Sequence, residues 1–465
     1  MYPMQRKNTT KIFNSLTTSD DRTKLASPDL APYPCNPRPS EFLYSTVRKF
    51  ASSWTTYPEL QAGNGQPPTP QQYKRDKYRH VLSELLSTEV LDTQAYGSVP
   101  HIVDHRVQAG LENGSFLVCD LTSIVEQYDQ WNAELPMVEP FYAFKSNPDP
   151  VIAKLLAALG CGFDCATQGE IDTVSNGLGE EFSLRARGLT TDKIVYANPA
   201  KMQNHLEFAV ANGIRMTVFD GEDELYKLAK VNNTLPKGDK LKLLLRITTD
   251  DAQSVCSFSN KFGCPVDEAT ELLEVAKDLG LHVAGVSFHV GSGCGDAGAY
   301  ETAFSHAARL FNAADALGMA PMEMVDIGGG FPGDNLGTYR KDAPTFPMIA
   351  ETVRNAIEEF KASIAAKKPR ELRFIAEPGR YFVSRSTTIA TQVYGRKGGR
   401  KGKQQALFID DGVYGSFNNV IYDHFNPVPE TLKSALGQSE TVDEDQLLPT
   451  AIFGPTCDGL DQICD

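Results

Sequence analysis

The stretch VEPFYAFKSNPDPVIAKLLAALG, residues 138–160, decides the fold. A short apolar run, VEPFYAF, reads as a buried strand. The turn-forming Ser-Asn-Pro-Asp-Pro that follows breaks it, and an amphipathic helical segment begins. The same strand-then-helix pattern recurs along the chain. The apolar runs are VEPFYAF, CGFDC, KIVYAN, MTVFD, KLLLRI, HVAGVSF, EMVDIG and RFIAEPG. Helical stretches such as EATELLEVAKDLG and YETAFSHAARLFNAADALG separate them. This alternation predicts parallel strands with crossover helices. Eight units predict a closed, TIM-like (β/α)8 barrel over 136–380.

Outside the barrel the character changes. Residues 1–75 are rich in Ser, Thr, Pro, Asn and Gln and read as a disordered polar leader. The first residues lack a convincing amphipathic repeat, which argues against a transit peptide. Residues 76–135 carry a helix around KYRHVLSELLS and a strand at SFLVCDL, expected to associate with the C-terminal part. Beyond 380, YFVSRSTTIATQVYG and QQALFIDDG read as strands without intervening helices, so 381–465 is expected to be a β-domain. The basic run GRKGGRKGK between them reads as a solvated hairpin loop.

With 465 residues, 41% of them hydrophobic, the chain can bury a barrel core and more. The formal net charge of −14 argues against nucleic acid or an anionic membrane as main partner and suits a small cation. No apolar run reaches spanning length. The nine cysteines contain no C-x-x-C pair, so a zinc or disulfide framework is not expected, and a reducing, cytoplasmic setting is.

A barrel of this kind carries its chemistry at the carboxyl ends of its strands. Those ends read Lys145, Asp164, Asp220, Arg246, His289, Gly328-Gly329-Gly330 and Glu377. A single strand-end charge is ordinary; so many converging on one rim are not. Apolar surroundings are expected to disfavour the Lys145 ammonium and free a neutral amine that forms Schiff bases. The glycines of FHVGSG and DIGGGFPG expose amides that cradle a phosphate, with Ser292 beside them. EPGR, residues 377–380, adds Glu377, Pro378, Gly379 and Arg380. A Schiff-base lysine, a phosphate cradle and a carboxylate for a ring nitrogen together describe a pyridoxal 5′-phosphate site. GGGFPG also matches G-x-G-x-x-G, but Pro332 and GDNLGTYRKD do not open the helix a dinucleotide site requires. His101 and His105 have helical ligand spacing without an acidic partner, and read as surface histidines. No metal is expected.

PFYAFKSN, FDCAT, YANPAK, LRITTDD, SFHVGSGC, DIGGGFPG, AEPGRYFV, DGVYGSFNNVIYDH and GPTCDGLD occur in this order. From about residue 95 onward the chain resembles the eukaryotic ornithine decarboxylases, pyridoxal phosphate enzymes of fold type III. The resemblance implies decarboxylation of L-ornithine to putrescine at the start of polyamine synthesis. By it, Lys145 holds the cofactor, His289 stacks on its ring, and Ser292, Gly330 and Arg380 bind its phosphate. Glu377 pairs with the pyridine nitrogen, and Arg246, Asp164 and Glu170 support the site. Tyr422 and Asp423, with Tyr414 nearby, line the pocket for the substrate's distal ammonium. Cys457, as proton donor, and Asp458 come from the partner of a homodimer, with Lys261 paired to Asp461 across the interface. Ornithine is preferred over lysine with modest discrimination, a methylene being worth little.

Family members continue past the position of Asp465 with further strands, a helix and a tyrosine for the cofactor phosphate. The expectation is therefore a C-terminally incomplete β-domain, a partial gene product and reduced activity. The alternative is a non-catalytic regulatory protein of the kind that captures antizyme; against it, Lys145, His289, Glu377, Arg380, Asp423, Cys457 and Asp458 are all present. A Schiff-base aldolase would need neither GPTCDGLD nor a β-domain.

Overall fold

A computed structural model describes residues 98–110, 112–179, 183–185, 188–333, 343–364, 370–398, 404–430, 432 and 448–464. The expected leader and the segment KYRHVLSELLS lie outside the described residues. Each of the eight apolar runs forms a strand: β2 (Val138–Ala143), β3 (Gly162–Cys165), β4 (Ile194–Tyr196), β5 (Met216–Phe219), β6 (Lys242–Arg246), β7 (Val283–Ser287), β8 (Met324–Asp326) and β9 (Arg373–Ala376). They pair in sequence order, all parallel, and β2 closes on β9 with Val138 opposite Phe374.

The barrel interior is filled by side chains from around the ring: Phe141, Val195, Met216, Val218, Leu244, Ala284, Met324 and Ile375. Each large one contributes roughly 1.5–3 kcal/mol by leaving water. Glu139, the acid inside the first apolar run, is answered by Arg373 of β9 and by Lys193. Arg373 Nε lies 2.7 Å from Oε1, and Lys193 Nζ 3.1 Å from Oε2. Burial raises its pKa, but Arg373 and then Lys193 outweigh that and the net shift is downward.

The helix Pro150–Leu159 shows why the opening stretch breaks where it does. Asp149 caps its N-terminus, accepting the Val151 amide at 2.8 Å. Pro150 loses no bond at the first helical position. Gly160, at φ 99°, ends the helix left-handed. The chain then re-enters the barrel as β3.

β1 (Phe116–Cys119) pairs antiparallel with β10 (Thr387–Ala390), joining the segment before the barrel to the one after it. Val103 and Val107, from the helix Val99–Gln108, cover Phe116 and Ala390. A second sheet has the order β11 (Val393–Gly398), β12 (Gln405–Ile409), β13 (Thr450–Phe453), β14 (Gln462–Cys464). GRKGGRKGK spans the β11–β12 hairpin, its tip falling outside the described residues.

One reading needs correction. YFVSRS is not strand: Arg380–Val383 is a single helical turn, and β10 starts only at Thr387. Tyr381 and Phe382 look β-prone, yet both are buried beside Trp131. Tyr381 Oη donates to Gln127 O at 2.8 Å, and Gln127 Nε2 returns a bond to Tyr381 O at 2.8 Å. Tertiary packing overrides local propensity here.

Candidate active site

Lys145 follows β2 in a one-turn 3-10 helix, Phe144–Ser146. Phe144 is buried and the Lys145 side chain half exposed, so the apolar run delivers its lysine to the barrel mouth. Register places Ala143 opposite Asp164 on β3, and Lys145 Nζ lies 2.6 Å from Asp164 Oδ2. The expectation of a neutral amine is overturned for the unliganded chain. Loss of water around the amine pulls the lysine down even though its side chain is half exposed, but the Asp164 carboxylate above all outweighs that, and the net shift is upward. Glu170 is fixed by the Ala166 amide, 2.6 Å from its Oε2.

His289 follows β7. Burial, with Arg246 and Lys145 adding like-sign repulsion, keeps it well below its ordinary pKa and therefore neutral. Its Nδ1 accepts the Gly291 amide at 3.0 Å, which leaves the proton on Nε2. Phe258 meets the ring edge-on, centroids 4.9 Å apart. Arg246, buried at the end of β6, has its guanidinium over the Phe262 ring at 5.4 Å.

The glycine triplet lets two loops touch. Gly328 has φ 63° and a Cβ there would come 2.2 Å from Phe288 O. A Cβ on Gly329 would lie 2.8 Å from His289 Nε2, and one on Gly330 would lie 2.9 Å from Gly291 O. The glycines thus serve close packing, and the Gly330 amide meets no acceptor among the described residues. Pro378 O accepts the Ala143 amide at 3.2 Å, and a Cβ on Gly379 would crowd Ser146 and Ala143. Glu377 is thereby held close to Lys145.

Arg380 Nη2 sits 3.1 Å from Ser292 Oγ and 2.9 Å from Asp423 Oδ1. The expected anion-binding pair and the expected ammonium-binding acid therefore meet. Cys256, which the sequence reading passed over, ties them further. Its backbone exchanges two hydrogen bonds with Ser292, at 3.1 and 2.9 Å. Its Sγ lies 3.7 Å from Tyr422 O and 3.9 Å from Asp423 Oδ1. The long loop after β6 hides this from sequence, because nothing local to VCSFSNKFG points at Ser292. Asp326, at the end of β8, was also missed. It is wholly buried and its carboxyl is within hydrogen-bonding reach of Glu377.

Cys457 and Asp458 are exposed on the segment between β13 and β14. Among the described residues, no hydrogen bond or ion pair joins them to Lys145, Glu377, Arg380 or Asp423. Tyr414, expected near Tyr422 and Asp423, lies close enough to Tyr422 for the two phenols to interact, and its hydroxyl also donates to Asp458, a bond that lowers the pKa of Asp458. Asp461 was expected to reach Lys261 of a partner subunit. Within a single chain it is buried. It accepts the Val413 amide at 2.9 Å, the Thr456 amide at 2.9 Å and Thr456 Oγ1 at 2.6 Å.

No group of acids, histidines and cysteines among the described residues could hold a metal. At this site two buried carboxylate oxygens, Asp164 Oδ1 and Glu377 Oε1, have no hydrogen-bond partner among the described residues. Such acceptors cost about 1–3 kcal/mol until a donor arrives. Orphaned acceptors, a neutral imidazole, a half-exposed lysine and a guanidinium beside a serine and a free glycine amide fit a phosphorylated pyridine aldehyde.

Residues 121–384 match the family model described as pyridoxal-dependent decarboxylase, pyridoxal binding domain. The ornithine decarboxylase of Caenorhabditis elegans is 38% identical over 365 residues, 76% of this chain and 78% of that one. Antizyme inhibitor 2 of Xenopus laevis is 37% identical over 364 residues, 76% of this chain and 73% of that one. Among solved structures, the arginine decarboxylase of Paramecium bursaria Chlorella virus superposes with a TM-score of 0.66 at 32% identity, covering 79% of this chain and 89% of that one. With a pyridoxal-binding barrel, eight parallel strands whose ends carry the residues above and this extent of identity, the chain belongs to the fold-type III pyridoxal-dependent decarboxylases, as a relative of the eukaryotic ornithine decarboxylases.

Proposed function

We propose that the chain, loaded with pyridoxal 5′-phosphate, decarboxylates L-ornithine to putrescine and carbon dioxide. The observation that carries this reading is the meeting of Lys145, Asp164, His289, Glu377 and Arg380 at one barrel rim. Lys145 holds the cofactor through its amine. Arg380, Ser292 and the Gly330 amide would hold its phosphate, with His289 for its ring face and Glu377 for its ring nitrogen. When bound, the cofactor accepts the electron pair left behind as the carboxylate departs. Glu377 supports that charge by keeping a proton at the ring nitrogen. Asp423 and Asp458 suit a distal ammonium, since two carboxylates clamp one cation through charge-assisted bonds. Cys457 supplies the proton that replaces the carboxylate at the α-carbon.

The exposure of Cys457 and Asp458, neither of which is bonded to Lys145, Glu377, Arg380 or Asp423 among the described residues, supports a homodimer whose sites are completed across the interface. Antizyme is a further partner suggested by kinship with an antizyme inhibitor, and a cytoplasmic location fits the same reading. Among the described residues no helix is long and apolar enough to cross a membrane. The purified chain with cofactor is expected to show a visible absorbance band that borohydride abolishes, and to release carbon dioxide from ornithine. Lys145→Ala should lose both. A colourless protein after cofactor addition ends this reading.

A further inference from the structure

The carboxyl pair Glu377 and Asp326 holds more than packing explains. Asp326 ends β8, Glu377 lies just past β9, and the two strands are neighbours in the barrel. Asp326 Oδ1 accepts the Gly328 amide at 3.0 Å, and Ser287 Oγ lies 3.3 Å from its Oδ2. The Glu377 amide donates to Gly328 O at 2.7 Å, so one glycine fixes both residues. Both carboxyls are buried and in reach of each other, yet among the described residues Glu377 Oε1 has no donor. Two carboxylates in contact away from water do not both stay ionised. One proton between them removes the repulsion and supplies a donor.

The charges around the pair agree. Asp164 faces it from β3, Lys145 from the turn after β2 and Arg246 from the end of β6. His289, after β7, is neutral, and Glu170 is turned to the Ala166 amide. Lys145 and Arg246 balance Asp164 and Asp326 only when Glu377 is uncharged. Burial, then Asp326 and Asp164, push the Glu377 carboxyl well above its ordinary range. Burial moves Asp326 to about 6, and the Gly328 amide and Glu377 restrain it there. Asp326 already receives the Gly328 amide and the Ser287 hydroxyl, which favour its ionised form, whereas Glu377 Oε1 receives no donor among the described residues, so the shared proton is assigned to Glu377.

We propose that Asp326 is a positioning residue acting through Glu377: the pair stores one proton in the empty site, and Glu377 gives it up when the cofactor's ring nitrogen docks. That proton passes to the ring nitrogen if the ring arrives neutral, and to solvent if it arrives protonated. Either way Glu377 ends as a carboxylate facing a ring N–H, with anionic Asp326 behind it. This inference rests on the reading that Glu377 meets the ring nitrogen.

The test uses the cofactor-free full chain and pyridoxamine 5′-phosphate, which has no carbonyl and cannot condense with Lys145. Difference infrared spectra on loading the wild type should lose one protonated-carboxyl C=O band and gain carboxylate absorption. Titration calorimetry in buffers of different ionisation enthalpy should show the wild type releasing about one proton per site more than Asp326→Asn. Binding without loss of the carboxyl band in the wild type overturns the proposal whether or not the variant folds. An equal band loss and proton count in a folded Asp326→Asn overturns the role of Asp326 while leaving the reading of the site intact. Failure of the probe to bind the wild type overturns that reading and this proposal together.

Discussion

Lys145 Nζ and Asp164 Oδ2, on neighbouring strands, are 2.6 Å apart. An amine attacks a carbonyl only when neutral, and the Asp164 carboxylate above all holds this one as ammonium against the pull of desolvation. Below the raised pKa the neutral fraction falls about tenfold per pH unit. Cofactor capture, followed as growth of the visible band, should therefore accelerate steadily between about pH 7 and about pH 9. Asp164→Asn removes the largest upward contribution and should shift that rise to lower pH. An unchanged profile in the variant would show that Asp164 does not govern the amine.

Asp461 gathers three donors from the segments that carry Tyr414 and Cys457. A Cβ on Gly412 would fall 2.2 Å from its Oδ1, and one on Gly454 would fall 2.3 Å from it, so the turns are built around this carboxylate. Asp461→Ala leaves buried amides unpaired, at about 1–3 kcal/mol for each. It should lower the denaturant midpoint clearly, and Lys261→Ala should lower it much less. Equal losses, seen only when the protein is dimeric, would instead favour the intersubunit ion pair that the family resemblance implied.

The eight strands were legible because each apolar run is bounded by turn residues, and parallel strands buried on both faces read as continuous hydrophobic runs. Lys145, His289 and Glu377 were legible because a polar residue ending such a run must face the rim, and Arg380 because it follows Glu377 in EPGR. The protonation state of Lys145 was not legible, since its carboxylate neighbours arrive on other strands and only closure of the barrel assembles them. Asp326 was hidden for a related reason. In MVDIGGG it reads as the polar end of a strand, and only its contact with Glu377 gives it significance. Tyr381 and Phe382 misled in the other direction, their aromatic character being used against Trp131 rather than in a strand.

Stability of the cofactor-free chain should depend on pH through the same acids. Asp326 titrates near its ordinary 3.8 when unfolded and at about 6 when folded; Glu377 is raised well above 4.5. Between those limits the native state binds more protons than the unfolded one, so stability falls as pH rises. The loss from Asp326 alone between about pH 4 and about pH 6 is on the order of 1–3 kcal/mol. Urea midpoints at these pH values, in the wild type and in Asp326→Asn, measure it. A flat wild-type profile, or an equally steep one in the variant, contradicts the assignment.

Cys457 and Asp458 stand exposed while Lys145, Glu377 and Arg380 line the barrel rim. A site completed across a dimer makes Lys145→Ala and Cys457→Ala complementary. Each parent homodimer lacks one group at both sites. Free exchange of equal amounts gives about half heterodimers, each with one site made of an intact Lys145 and an intact Cys457, hence about a quarter of wild-type activity. A site contained within one chain predicts no recovery, since every chain in the mixture carries a defect. Carbon dioxide release from ornithine, measured before and after subunit exchange, separates the two. Recovery that follows the exchange rate identifies the partner subunit as the source of the thiol.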